Sequence, residues 1–136
     1  LRVVFDTNVL ISAFAAEGLC LKLLERANKH DFILYVSPFI LEEFKRNLKI
    51  KIALSKTEIE EALSILKEVV NIIDPNKQGI IVENICRDRD DDYVLAAAAA
   101  CSADYLITGD KELLELNKYR RTKILKPRDF ELLLHQ

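Results

Sequence analysis

Acidic side chains recur where apolar, strand-like runs stop. Asp6 follows Val3-Val4-Phe5 directly, and Asp110 follows Tyr105-Leu106-Ile107-Thr108 across one glycine. In an open α/β sheet, ligands bind beyond the carboxyl ends of the strands, so both carboxylates are expected on one edge. An Asp in this position also suits a helix N-cap, and Asp110, which precedes Lys111-Glu112-Leu113-Leu114, fits that role well. Asp6 is followed by Asn8, a second polar group in the same segment.

Two further acids belong to helices. Ser37-Pro38 reads as an N-cap followed by a first-turn proline. At about 100° per residue, Ile40, Leu41, Phe44 and Leu48 then span one apolar arc. Glu43 borders that arc, whereas Glu42 points away, so Glu43 is expected partly buried near the helix start on the Asp6 edge. A salt bridge to Lys or Arg is the competing use for it. The run Arg87-Asp88-Arg89-Asp90-Asp91-Asp92 leads into an alanine-rich helix. The macrodipole favours acids there, but capping accounts for one or two of them and not for four in five positions. Asp91 lies one turn before Val94, Leu95 and Ala98, the stripe expected to face the sheet. It is therefore the first choice, with Asp92 next.

Four convergent carboxylates raise one another's pKa and cannot all stay ionised without compensation. A hard divalent cation, Mg²⁺ or Mn²⁺, suits carboxylate, amide and water ligands. The chain contains neither a G-x-x-x-x-G-K-[ST] nor a G-x-G-x-x-G phosphate cradle. A substrate phosphate would then have to be held by the metal itself.

The elements that must position these acids alternate. Strands are expected at 3–5, 32–36, 105–108 and 123–125, with a further one inside 69–73. Helices are expected at 19–27, after Ser37, from Ser55 or Thr57, up to about residue 103, from Lys111 and from Pro127. Such alternation implies parallel pairing through crossovers, hence a three-layer α/β/α sandwich with a central parallel sheet. The 136 residues suit a single domain over 1–136. Gly and Pro total six, far below the roughly 12% of an average chain, so long irregular loops are not expected beyond the 74–79 break.

Composition narrows the function classes. Hydrophobic residues at 50% and charged residues at 31% exclude intrinsic disorder. Twenty Lys and Arg against 22 Asp and Glu give a net charge of −2, which does not describe an overall basic nucleic-acid binder. Cys20, Cys86 and Cys101 are widely spaced and form no zinc pattern with His30 and His135, so free thiols in a reducing cytoplasm are expected. No apolar run approaches the ~20 residues of a membrane span. Lys45, Arg46, Lys49 and Lys51 on one helix, and the stretch 118–126, read as solvated faces. Arg87 and Arg89 flank the acids and are the expected contacts to a nucleic-acid backbone.

Taken in order, Asp6-Thr7-Asn8, Glu43-Phe44, the acidic 88–92 segment before Leu95-Ala96, and Thr108-Gly109-Asp110 resemble a PIN domain. The likeness is greatest to the VapC-type toxin components of toxin–antitoxin systems, and it runs from Val3 to about Leu134. It implies a Mg²⁺- or Mn²⁺-dependent ribonuclease, usually dimeric, with an antitoxin partner. By position, Asp6, Glu43, Asp91 and Asp110 match the family's metal-holding acids, and Asn8 and Thr108 its polar supports. The three consecutive aspartates leave a one-residue shift to Asp92 open. Many relatives have proline where this chain has Arg89.

The chemistry this implies is water activation by metal and in-line attack on phosphorus, leaving 5′-phosphate and 3′-hydroxyl ends. No histidine lies near any motif, so a histidine base is not expected. Two rival readings remain at this level. One is a phosphotransfer or phosphatase domain with Asp6 as phosphoacceptor, although Asn8 stands where a haloacid-dehalogenase-type phosphatase wants an acid. The other is a catalytically silent PIN-like binding module.

Overall fold

The computed structural model describes residues 1–135. Its sheet is built from β1 (Arg2–Phe5), β2 (Ile33–Val36), β3 (Asn71–Ile72), β4 (Tyr105–Ile107), β5 (Lys118–Tyr119) and β6 (Thr122–Leu125). Helices α1 (Thr7–Ala15), α2 (Leu19–Asn28), α3 (Pro38–Ile50), α4 (Lys56–Val69), α5 (Arg89–Ala100), α6 (Lys111–Leu116) and α7 (Pro127–Leu134) flank it. The strand order is β3-β2-β1-β4-β6-β5. Every pairing is parallel except β5 with β6, a hairpin that the alternation of strands and helices does not reveal.

The central strands read as unbroken apolar runs because helices cover them. Val3, Val4, Phe5, Leu106 and Ile107 have no exposed surface. Phe5, Tyr105 and Phe130 gather with Phe32 in a ring cluster, with centroids 5.1–5.9 Å apart. The alanine run is buried from Ala96 to Ala98, and its small side chains let α5 approach β1 closely.

Local signals account for most helix starts. The Ser37 hydroxyl accepts the Ile40 N–H at 3.2 Å, with Pro38 in the first turn. Ser55 and Glu58 form a reciprocal capping box. Helix α1, which the apolar periodicity does not single out, is capped by Asp6, whose carboxylate accepts the Thr7 N–H at 2.7 Å. Its Val9-Leu10-Ile11 core is buried and carries no amphipathic stripe.

One expectation fails. Residues 73–88 form no regular element, a far longer irregular stretch than the six-residue break read from Gly and Pro. Side chains from elsewhere hold it. The Asp92 carboxylate accepts the N–H groups of Ile85 and Cys86, Glu112 accepts from Arg87, and Tyr119 and Arg120 donate to Glu83. No single helix is long and apolar enough to cross a membrane among the described residues.

Candidate active site

Strand register builds the first half of the site. Phe5 pairs with Ile107, and the Asp6 N–H continues the ladder to the Ile107 carbonyl at 2.9 Å. Asp6 and Thr108 are therefore neighbours just beyond the strand ends. The Thr108 hydroxyl donates to Asp6 Oδ2 at 2.7 Å and accepts the Asp110 N–H at 3.0 Å. Asp110 in turn caps α6, its Oδ1 accepting from Glu112 and Leu113. One hydroxyl thus fixes both strand-end acids.

Helix packing supplies the second half. Phe14 of α1 meets Phe44 of α3 edge-on at 5.2 Å, which sets Glu43 against the start of α1. There the Thr7 hydroxyl donates to Glu43 Oε1 at 2.7 Å. Phe39 of α3 stacks on Tyr93 of α5 at 4.5 Å and brings the acidic start of α5 beside α3. Asp6, Glu43, Asp91 and Asp110 consequently line one cleft of about 200 Å³, together with Thr7, Asn8, Asp88 and Asp90. Of the competing uses for Glu43, the salt bridge is a long one, 3.9 Å to Arg46, which also lies at the cleft.

The electrostatics follow from this crowding. Burial pushes the Asp6 carboxyl up, against hydrogen bonds from Thr108 and Thr7 that lower it. Burial likewise raises Glu43, opposed by Thr7 and reinforced by Asp90 and Asp6. Asp91 is raised to about 7 by burial and by the charges of Asp110 and Asp6. Asp91 Oδ2 is also the one buried side-chain oxygen without a hydrogen-bond partner among the described residues. A native protein seldom leaves such an atom unsatisfied, and each instance asks for a cause. The donor set fits a hard divalent cation: several carboxylates, an amide at Asn8, and an orphaned buried oxygen.

A second grouping lies alongside, with ligand atoms of Cys86, Asp91 and Glu112 within 4.8 Å of one another. It is a poorer cation site. The Cys86 thiol is pushed up to about 12 by burial and by Asp92, and Glu112 is already paired with Arg87 at 3.2 Å. A thiol must lose its proton to ligate.

Asp92, Arg87 and Arg89 do not join the cleft. Asp92 is buried, yet despite burial the Cys86 and Ile85 N–H groups hold its carboxyl below the usual range. A turn of about 100° separates it from Asp91 and aims it at the 85–86 backbone, not at the other acids. Arg89 pairs with Asp92 at 3.4 Å and lies over the Tyr93 ring. Arg87 lies with Glu112 in a separate depression that shares Asp110 with the cleft. The cations at the cleft are Arg46 and Lys51, with Asn47 between them in sequence. A signal for Arg46 and Asn47 existed: they stand three and four residues after Glu43, hence on its helical face. Thr7 had no comparable signal, because its partner is 36 residues away.

Comparison with known proteins agrees with this architecture. A model of the PIN domain family matches residues 2–112, and the chain belongs to that family. The fold is shared with VapBC2 from Rickettsia felis bound to a DNA fragment from their promoter, at a TM-score of 0.63 and 17% identity over 91% of this chain and 97% of that one. It is also shared with FitAB bound to the IR36 DNA fragment, at 0.53 and 16% over 92% and 94%. No curated protein matches the chain in sequence.

Proposed function

Taking membership of the PIN domain family as the premise, we propose that this protein is a Mg²⁺- or Mn²⁺-dependent endoribonuclease and the toxin of a toxin–antitoxin pair. The observation that carries this reading is the unpartnered, buried Asp91 Oδ2 among carboxylates that repel one another. Asp6, Glu43, Asp91 and Asp110 would hold the cation. When bound, a cation of this type neutralises phosphate charge as a Lewis acid and lowers the pKa of water.

The chain's own residues have distinct parts. Thr108 orients Asp6 and the Asp110 backbone, and Thr7 orients Glu43. Arg46 and Lys51, on the cleft rim, contact substrate phosphates. The cleft lining includes no imidazole, which supports water as the nucleophile and 5′-phosphate with 3′-hydroxyl products. Asp6 accepts hydrogen bonds on both oxygens, a poor state for a phosphoacceptor and an argument against the phosphotransfer reading. The three free cysteines suit a cytoplasmic setting. Likeness in fold to VapBC2 and FitAB supports an antitoxin partner, and a homodimer is proposed with it.

The test is cleavage of an end-labelled RNA with Mn²⁺ and with EDTA, with end-group analysis of the products. Activity that survives EDTA, or survives Asp6→Asn, overturns the proposal. Rescue of growth arrest by a co-expressed small neighbouring gene product separates a toxin from a processing nuclease.

A further inference from the structure

We infer that the groove between α3 and α4 is a binding subsite for single-stranded RNA, seating the nucleotides beside the scissile phosphate. This rests on the ribonuclease reading above but concerns a groove that shares only Arg46 with the acidic cleft. The groove encloses about 470 Å³. Leu54, Ile59 and Leu63 form an apolar floor, and Lys45, Lys49 and Lys56 stand exposed on its walls. Glu42 and Glu60 are its acids, so with Arg46 included the lining carries four cations against two anions.

Arg46 joins the two sites, because it lines both this groove and the acidic cleft. Along α3, Glu43 and Lys49 are six residues apart, about 9 Å of rise and about 120° round the axis, with Arg46 between them. A strand with one phosphate at the acids reaches the lysines within a few nucleotides. Basic walls over an apolar floor match a single-stranded polyanion, whose phosphates meet cations while its bases cover apolar surface. A duplex hides its bases and gains only the walls.

The test reads binding apart from turnover. A fluorescein-labelled single-stranded RNA decamer is titrated into the full chain carrying Asp6→Asn, so that the probe survives, with Mg²⁺ and separately with EDTA. Adding Lys45→Ala and Lys49→Ala should weaken binding about 25-fold at 0.1 M salt and lower the salt slope by about 1.4, from ~0.7 per lost phosphate contact. Both lysines are exposed, so the fold is not at risk. Leu63→Asp should weaken binding further, and duplex RNA of the same sequence should bind less well. An unchanged affinity and slope overturns the subsite, as does equal binding of the duplex. A changed sedimentation coefficient with unchanged RNA affinity also overturns it and makes the groove a protein interface. If the unmodified protein cleaves no RNA while the lysine dependence holds, the nuclease reading falls and the groove stands as a single-stranded RNA site without a scissile phosphate. If it cleaves RNA while the lysine variant binds like its parent, the subsite falls alone.

Discussion

Asp91→Asn separates a repelled carboxylate from a structural one. With its carboxyl raised from 3.8 to about 7, ionised Asp91 opposes folding of the cation-free protein. The sign follows from proton counts. Between pH ~4 and ~7 the folded state holds a proton that the unfolded state has lost, so stability falls as pH rises and is flat above ~7. The difference of about three units corresponds to ~4 kcal/mol at ~1.4 kcal/mol per unit. The cleft opens to water, and screening reduces this to about 2 kcal/mol. Asparagine keeps the shape and removes the charge. In EDTA at pH 8 the variant should therefore be about 2 kcal/mol more stable, a Tm gain of ~6 °C for a chain of this length. The gain should shrink to under ~1 kcal/mol at pH 5. With 10 mM MnCl₂ the order should reverse, since binding stabilises only the folded state that holds the ion. Thermal and urea denaturation over pH 5–8, with EDTA and with Mn²⁺, give all three readings. A variant less stable than the parent in EDTA at pH 8 would show Asp91 to be a structural acceptor, and the argument from its orphaned oxygen would fail.

The neighbouring Asp92 should behave in the opposite way. Asp92→Ala strips the acceptor from two backbone N–H groups and should cost about 1–3 kcal/mol at neutral pH, seen by urea denaturation and by faster proteolysis within 80–88, with the Mn²⁺ response retained. Because its carboxyl lies below the usual range, that anchoring is present above pH ~4 and is lost as pH falls through the depressed value. Thr108→Val removes the donor to Asp6 and the acceptor for the Asp110 N–H, and should lose about 1–2 kcal/mol along with severalfold Mn²⁺ affinity by calorimetry. Thr7→Val should weaken Mn²⁺ binding with a pH midpoint shifted upward, because Glu43 loses the hydrogen bond that holds its carboxyl down.

Where a feature is local in the chain, the sequence discloses it. Ser37-Pro38 and Ser55 start their helices through contacts within three residues, and Asp6 and Asp110 stand beside strand runs that alone predict their shared edge. What the sequence hides is settled at long range. The 73–88 stretch reads as short because what holds it lies elsewhere in the chain: Asp92 and Glu112 accept its backbone N–H groups, and Tyr119 and Arg120 donate to the Glu83 side chain, none of which marks it locally. Arg87 and Arg89 adjoin the acids in sequence, but they pair with Glu112 and Asp92 outside the cleft lining. Arg46 on α3 and Lys51 at its C-terminal cap are the cations in the lining, since α3 leads both there along with Glu43.

Helix α3 also resolves the conflict between a net charge of −2 and the RNA substrate proposed above. Six carboxylates and two cations line the cleft, so without a cation it repels phosphate. The opposite sign is concentrated one helical face away, where Lys45 and Lys49 stand on the groove wall. A polyanion near this surface meets the α3 flank first and gains there without any metal. Only the phosphate beyond Arg46 needs the acids neutralised. RNA affinity should therefore separate into a salt-sensitive part that persists in EDTA and a smaller part that requires the divalent ion. An affinity that vanishes entirely in EDTA would mean that the basic flank and the acidic cleft do not divide the strand between them.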